Sequence, residues 1–167
     1  MRWLLIGASI ACVAACGTSD SVRPNGNGWD TDALAGAKFD SAVATFRQQS
    51  GIQTRRREVI DNLNDFLTVW GQLVGNRPVI PNPPDVDFNK YMIVLVSSGS
   101  KPTGGYCIDI GFITGLPGGL QIWVTETEPA ANSVVNQVVT QPTDLRLIGR
   151  GASSIFFVED RHTGRCS

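Results

Sequence analysis

Apolar residues recur at helical spacing between residues 63 and 74. The stripe consists of Leu63, Phe66, Leu67, Trp70, Leu73 and Val74. Asp61 or Asn62 can cap the start of a helix here, Gly75 can end it, and Pro78 prevents its continuation. The pattern therefore predicts one amphipathic helix that packs through its aromatic and aliphatic face.

The chain after this helix is patterned as β-structure. Residues 91–96 form a continuous apolar run with β-branched content, which is typical of a strand buried on both faces. Residues 106–113 and 120–127 alternate, and a glycine-rich turn at 114–119 separates them, so they predict a hairpin. One side of the first hairpin strand is expected to carry Tyr106, Ile108, Ile110 and Phe112.

Shorter β-candidates lie at residues 145–148 and 155–159. Before the helix, residues 37–47 are ambiguous and residues 52–60 favour a strand. Together these elements predict an α+β fold: a single domain with a mainly antiparallel β-sheet and one amphipathic helix packed on it.

The first residues resemble the signal of a bacterial lipoprotein. Arg2 precedes an apolar run of about 13 residues, which is too short to span a membrane and suits a signal peptide. The run ends in Val13-Ala14-Ala15-Cys16, which resembles a lipobox. The resemblance implies cleavage before Cys16 and lipid attachment to its thiol. The alternative is an ordinary secretory signal.

These features divide the chain into a signal peptide at 1–15, a flexible tether at 16–35 and one folded domain at 36–167. The tether is rich in Gly, Ser, Asn, Asp and Pro. The position after Cys16 is Gly17 and not aspartate, so retention in an inner membrane is not indicated. We expect a lipid-anchored protein of the bacterial cell envelope, at the outer membrane.

Cleavage would leave two cysteines besides the lipidated one, Cys107 and Cys166. Two cysteines in an oxidising compartment predict one disulfide, with a pair of free thiols as the alternative. The bridge would tie the C-terminal tail to the strand at 106–113.

Charge excludes one class of partner. The formal net charge is −1, and the only cationic cluster is Arg55-Arg56-Arg57, which is expected to be a solvated strand edge. No basic stripe with interleaved aromatic residues is present, so nucleic-acid binding is not predicted.

No constellation of catalytic residues appears in the sequence. The single histidine, His162, lies in a polar stretch near the tail, where an exposed loop position is expected. Ser98 and Lys101 fit an S-x-x-K pattern only formally, because Gly99 and Pro102 do not form the helix start that such a serine needs. We predict no enzyme activity, no cofactor and no metal site.

One loop instead indicates protein binding. Residues 102–106 read Pro-Thr-Gly-Gly-Tyr, directly before an alternating strand. Consecutive glycines allow positive φ or close approach of a partner, and tyrosine offers a flat amphipathic surface. The predicted binding residues are Lys101, Pro102, Thr103, Gly104, Gly105 and Tyr106. The alternative is a structural turn in which Tyr106 packs into the sheet.

The order of these motifs resembles the PrcB C-terminal domain family. The resemblance rests on Val86-Asp87-Phe88, the apolar strand after it, the Gly-Gly-Tyr loop, and residues 139–142 after the hairpin. It covers about residues 50–150 and is strongest over residues 86–112. The family pattern usually has an aromatic residue after the proline, where this chain has Thr143.

The family is named for a lipoprotein subunit of a bacterial surface protease complex. The resemblance therefore implies a non-catalytic, membrane-anchored lipoprotein that binds a protein partner, such as an extracytoplasmic protease, and stabilises or helps assemble its complex. The loop at 101–106 would be the contact.

A second resemblance points to another function. The loop is similar to the Asn-Pro-Thr-Thr-Gly-Tyr loop of chagasin-type cysteine protease inhibitors, which insert it into active-site clefts. Lys101 stands in place of the asparagine and Gly104 in place of the second threonine. No counterpart of the inhibitors' Arg-Pro-Trp motif follows.

Overall fold

A computed structural model describes residues 33–75 and 77–166. Within them the elements are α1 Ala33–Val43, β1 Arg55–Ile60, α2 Leu63–Val74, β2 Tyr91–Ser98, β3 Cys107–Leu116, β4 Gly119–Glu128, β5 Thr143–Gly149 and β6 Ser154–Thr163. A single 3₁₀ turn, Ala44–Phe46, follows α1. The predicted signal peptide, Cys16 and most of the predicted tether lie outside the described residues. No helix in the described part has the length and apolarity needed to cross a membrane.

The six strands form two three-stranded sheets. The first has the order β1-β2-β5 and is antiparallel throughout. The second has the order β3-β4-β6, in which β3 and β4 form the predicted hairpin and β6 lies parallel to β4. The α+β class is confirmed. The sequence did not indicate that the strands divide into two sheets, or that one pair is parallel.

The helices and the two sheets make three layers. One core lies between the helices and the first sheet and includes Phe66, Trp70, Ile93 and Leu95. The other core lies between the two sheets, and its members are Met92, Val94, Val96, Ile108, Ile110, Leu120, Ile122, Val124 and Ile148. Successive residues of β2 therefore point into different cores, because side chains alternate along a strand. The predicted burial of this strand on both faces is confirmed.

The helix predicted from the apolar stripe is α2. The Asn62 side chain accepts a hydrogen bond from the Asp65 N–H at 3.0 Å, and the residue after the helix is Gly75 with φ +55°. The buried face is Phe66, Val69, Trp70, Leu73 and Val74. Leu63 and Leu67, which the stripe included, are 55% and 47% exposed. The helix is therefore turned so that Val69 faces the sheet in their place.

Residues 33–43, part of which the sequence left ambiguous, form the helix α1. Phe39 and Val43 of α1 and Phe46 of the following turn are buried in the same core as α2. The strand expected at 52–60 is confirmed as β1, which begins at Arg55.

Charged side chains join the two sheets along one edge, where β5 lies beside β3. The Ile110 N–H donates to the Asp144 carboxylate at 2.8 Å, and Arg146 donates to the Ile110 carbonyl at 2.9 Å. Burial raises the pKa of Asp144, although this N–H partly offsets the effect. β3 is an edge strand, so no strand pairs with this side of its backbone. Side chains of β5 supply hydrogen bonds to its N–H and carbonyl groups instead.

The opposite edge is joined by ion pairs between β1 and the strands β4 and β6. Glu126 pairs with Arg55 Nε at 3.1 Å and with Arg57, and Glu159 accepts from Arg57 Nε at 2.7 Å. Glu126 is only 3% exposed. The predicted strand edge is confirmed, because β1 is an edge strand and the Arg55 side chain is 44% exposed. The predicted solvation is wrong for Arg57, whose side chain is 11% exposed and bridges to the second sheet.

Candidate protein-binding surface

The loop 101–106 is tied to the connection between β4 and β5. The Lys101 N–H donates to the Thr140 carbonyl at 2.8 Å, and the Thr140 N–H donates back to the Lys101 carbonyl at 3.0 Å. The Thr140 hydroxyl donates to the Thr103 carbonyl at 2.9 Å, and the Gly104 N–H donates to the Asn136 carbonyl at 2.8 Å. These bonds fix the shape of the loop from three points.

The two glycines have different roles. Gly105 has φ +84°, and a Cβ there would lie 2.8 Å from Val135 Cγ1 and 3.1 Å from Pro129 Cβ. At Gly104 the nearest atom to such a Cβ would be the Asn136 carbonyl oxygen at 3.5 Å, which is an ordinary contact. Gly105 is therefore needed by its conformation and its neighbours, whereas Gly104 is not.

The predicted binding residues lie together on one end of the domain but differ in exposure. Pro102 is exposed, and the other five are partly buried. The Lys101 ammonium lies 5.2 Å from the centroid of the Tyr106 ring, within the range of a cation–π interaction. Tyr106 therefore supports the lysine with its ring while keeping part of its own surface accessible.

The same end carries apolar residues that the sequence analysis missed. They lie on the connection 129–140, to which the loop 101–106 is bonded. Val134 is 104% exposed, and Val138 and Val139 are 56% and 53% exposed. The sequence feature that could have revealed them is a pair of Val-Val dipeptides within a stretch that has no strand or helix pattern. We call residues 101–106 and 129–140 together the loop surface.

A disulfide between Cys107 and Cys166 closes one side of this surface, with Cα atoms 5.8 Å apart. It confirms the predicted pairing. The Gly164 N–H also donates to the Glu128 carbonyl at 2.9 Å, so the C-terminal tail crosses the end of β4 on its way to β3. Between the tail and residues 129–135 lies an open cavity of about 470 Å³.

Thr143, where the family pattern usually has an aromatic residue, lies in a buried hydroxyl cluster. Its hydroxyl is 2.8 Å from the Ser50 hydroxyl and donates to the Ser97 hydroxyl at 3.0 Å. Thr143 and Ser97 are each 0% exposed. The buried hydroxyl of Thr143 is therefore satisfied by its neighbours in this chain.

Two ionisable side chains outside the loop surface pair with their own sequence neighbours. His162 is exposed as expected, but it lies on β6 and not in a loop, with its Nε2 3.0 Å from an Asp160 oxygen. The backbone N–H of Asn89 lowers the pKa of Asp87, which caps the turn before β2. Within the described residues, no three or more histidine, cysteine or acidic side chains gather where they could hold a metal ion.

The molecule is thus a three-layer α+β domain with a loop surface at one end that is held by hydrogen bonds. Residues 92–146, from β2 into β5, match the model of the PrcB C-terminal family. The predicted resemblance is therefore confirmed, and the matched residues include the loop surface. No curated protein and no solved structure matches the chain.

Proposed function

We propose that the chain is a non-catalytic envelope lipoprotein, anchored through Cys16, that binds a partner protein through its loop surface. The partner is an extracytoplasmic protease or another surface complex, which the bound chain stabilises or helps assemble. The match to the PrcB C-terminal family supports a role in such a complex.

One observation carries this proposal: exposed apolar side chains stand on a segment of backbone that hydrogen bonds tie to the loop 101–106. Val134, Val138 and Val139 are exposed, yet their segment is hydrogen-bonded to the loop 101–106. Apolar groups left in water on a fixed frame are typical of a binding site, because little conformational entropy is lost when a partner covers them. Tyr106 adds an aromatic side chain of a type enriched at interfaces, and Lys101 places a cation beside its ring.

The width of the loop surface favours a role in assembling a complex over protease inhibition of the chagasin type. The exposed valines lie on a second segment beside the loop 101–106, so the surface is wider than a single loop inserted into a cleft. Of the six loop residues only Pro102 is exposed, and the other five are partly buried. Inhibition of papain-like or serine proteases by the protein, measured on a panel of both, would favour the inhibitor function over the assembly function.

A cross-linked pull-down from detergent-solubilised envelopes tests the proposal. Full-length wild type is compared with Tyr106→Ala and Val134→Asp, and Val79→Asp serves as the matched control because Val79 is 77% exposed in a different loop. Loss of an interface anchor costs about 2 kcal/mol, or roughly thirtyfold in affinity. A peptidase or surface protein recovered with wild type and Val79→Asp, but depleted with the other two variants, is expected. Equal recovery with all four would contradict the proposal.

Lipid attachment is tested separately. Metabolic labelling with a palmitate analogue is expected to label wild type and to leave Cys16→Ser unlabelled. Fractionation is expected to place the labelled protein in the outer membrane.

A further inference from the structure

The cavity beside the loop surface has walls of mixed chemistry. Its apolar wall consists of Pro129, Val134 and Val135, and its polar groups come from Asn132, Ser133 and Arg165. At about 470 Å³ it has the size of a small-ligand site. One aliphatic side chain and the peptide group that carries it would fit such a space.

The charge on the lining is of one sign. Arg165 is the single ionisable side chain among the lining residues, and in the part of the chain that the structure describes it forms no ion pair. An arginine guanidinium at the rim of an apolar wall is complementary to a carboxylate, which it can bind with two parallel hydrogen bonds. The lining therefore selects a ligand that is apolar on one side and anionic on the other.

Two features, one covalent and one conformational, keep the cavity open. The Cys107–Cys166 disulfide fixes the tail on one side. The positive φ of Gly105 and the absence of a Cβ leave room beside Val135 and Pro129. A site that is shaped before the ligand arrives binds with less loss of entropy.

We propose that this cavity receives a peptide segment of the partner in which an aliphatic side chain stands next to a carboxylate. This inference rests on the proposed function, because it names the chemistry that the partner presents to the loop surface. The carboxylate has two possible sources with the same chemistry: the C-terminus of the partner, or an aspartate or glutamate beside the aliphatic residue.

Fluorescence anisotropy of labelled pentapeptides tests the inference on the full-length protein in mild detergent. One pair of peptides ends in valine, with a free carboxylate or with an amide. A second pair has an amidated end and carries valine next to an internal glutamate or glutamine. We expect one acid to bind about tenfold or more tightly than its neutral counterpart, since a charge-assisted pair is lost in the latter. The pair that shows the difference identifies the source.

Substitutions of two arginines test the role of Arg165 in the cavity. Arg165→Gln is expected to abolish the preference for the acid, whereas Arg161→Gln removes the same charge from an exposed site outside the cavity and is expected to retain it. Reduction of the disulfide is expected to weaken binding of the preferred acid, because Cys166 leaves the wall.

Equal binding of acid and neutral peptides, or no binding of any peptide at millimolar concentration, would overturn the inference. So would a preference that survives Arg165→Gln. The envelope pull-down distinguishes failure of this inference from failure of the proposed function. Tyr106 does not line the cavity, so a partner that Arg165→Gln still recovers but Tyr106→Ala does not would leave the loop surface in place as the contact while the cavity is rejected.

Discussion

Glu126 is 3% exposed, and a carboxylate buried this deeply is stable only when cations pair with it. Arg57, whose side chain is 11% exposed, supplies the closest pairing and also bonds Glu159. Burial alone would lower the pKa of Arg57, but the hydrogen bonds and charges of Glu159 and Glu126 outweigh it and raise the pKa. Arg57 is therefore charged in the folded state, and the ion-pair cluster of Arg55, Arg57, Glu126 and Glu159 joins the two sheets.

Glu126→Gln is expected to lower the free energy of unfolding by about 1–3 kcal/mol, because the amide keeps the shape but loses the charge-assisted bonds to two arginines. Glu128→Gln is the matched control on the same strand, since Glu128 is exposed. Urea denaturation measures both. Equal stability of the two variants would mean that the cluster contributes nothing to holding the sheets together.

Glu159 gives the cluster a dependence on pH. The hydrogen bond from Arg57 lowers the pKa of Glu159 below its ordinary value. A carboxylate with a lowered folded-state pKa stabilises the fold above its unfolded pKa of about 4.3, and this contribution is lost as the pH falls through the folded value. The stability difference between wild type and Glu159→Gln is therefore expected to be full at pH 7 and to disappear in acid. A difference that grows as the pH is lowered would contradict this assignment.

At the scale of elements, the loop 101–106 depends on its glycines unequally. Gly105→Ala is expected to destabilise the domain by about 1–3 kcal/mol, because alanine must adopt a left-handed conformation and its Cβ meets Val135. Gly104→Ala is the matched control, with an expected change within about 0.5 kcal/mol. Thermal denaturation of the pair checks the difference. Similar melting temperatures would show that the loop is not held as described.

The strand β3 shows where pattern reasoning succeeds and where it stops. Alternation placed Ile108 and Ile110 on one face correctly, and it placed Phe112 with them incorrectly. The register shifts between Ile110 and Ile113, so two residues of β3 lie opposite Trp123, and Phe112 is turned outward, where it is 63% exposed. It stacks on Trp123 with ring centroids 5.1 Å apart. A bulge depends on the partner strand, which the sequence of β3 alone does not reveal.

At the scale of the whole molecule, long-range contacts decide what the sequence could not. The apolar run of β2 predicted two buried faces, but nothing in it specified that a helix layer covers one and a second sheet the other. In the same way, Arg57 and Glu126 are 69 positions apart, and their pairing depends on how the sheets meet. The loop 101–106 was recognisable from its composition, whereas its attachment to residues 129–140 required the fold.

The disulfide links two distant parts of the chain covalently. Its two cysteines are 59 positions apart, and closure of such a loop stabilises a fold by roughly 4 kcal/mol in the chain-entropy model. The double variant Cys107→Ser with Cys166→Ser is expected to lose stability on that order in urea denaturation. Wild-type protein under reducing conditions is the control, and it is expected to behave like the double variant. A double variant as stable as oxidised wild type would contradict this role.

Site-specific photo-cross-linking in intact cells tests whether the loop surface is the binding site. A photoreactive amino acid is placed at Val134 on the loop surface or at Val79, which is exposed elsewhere. We expect a discrete adduct with an envelope protein from position 134 and none from position 79. Adducts of the same protein from both positions, or from position 79 alone, would contradict the assignment of the loop surface as the binding site.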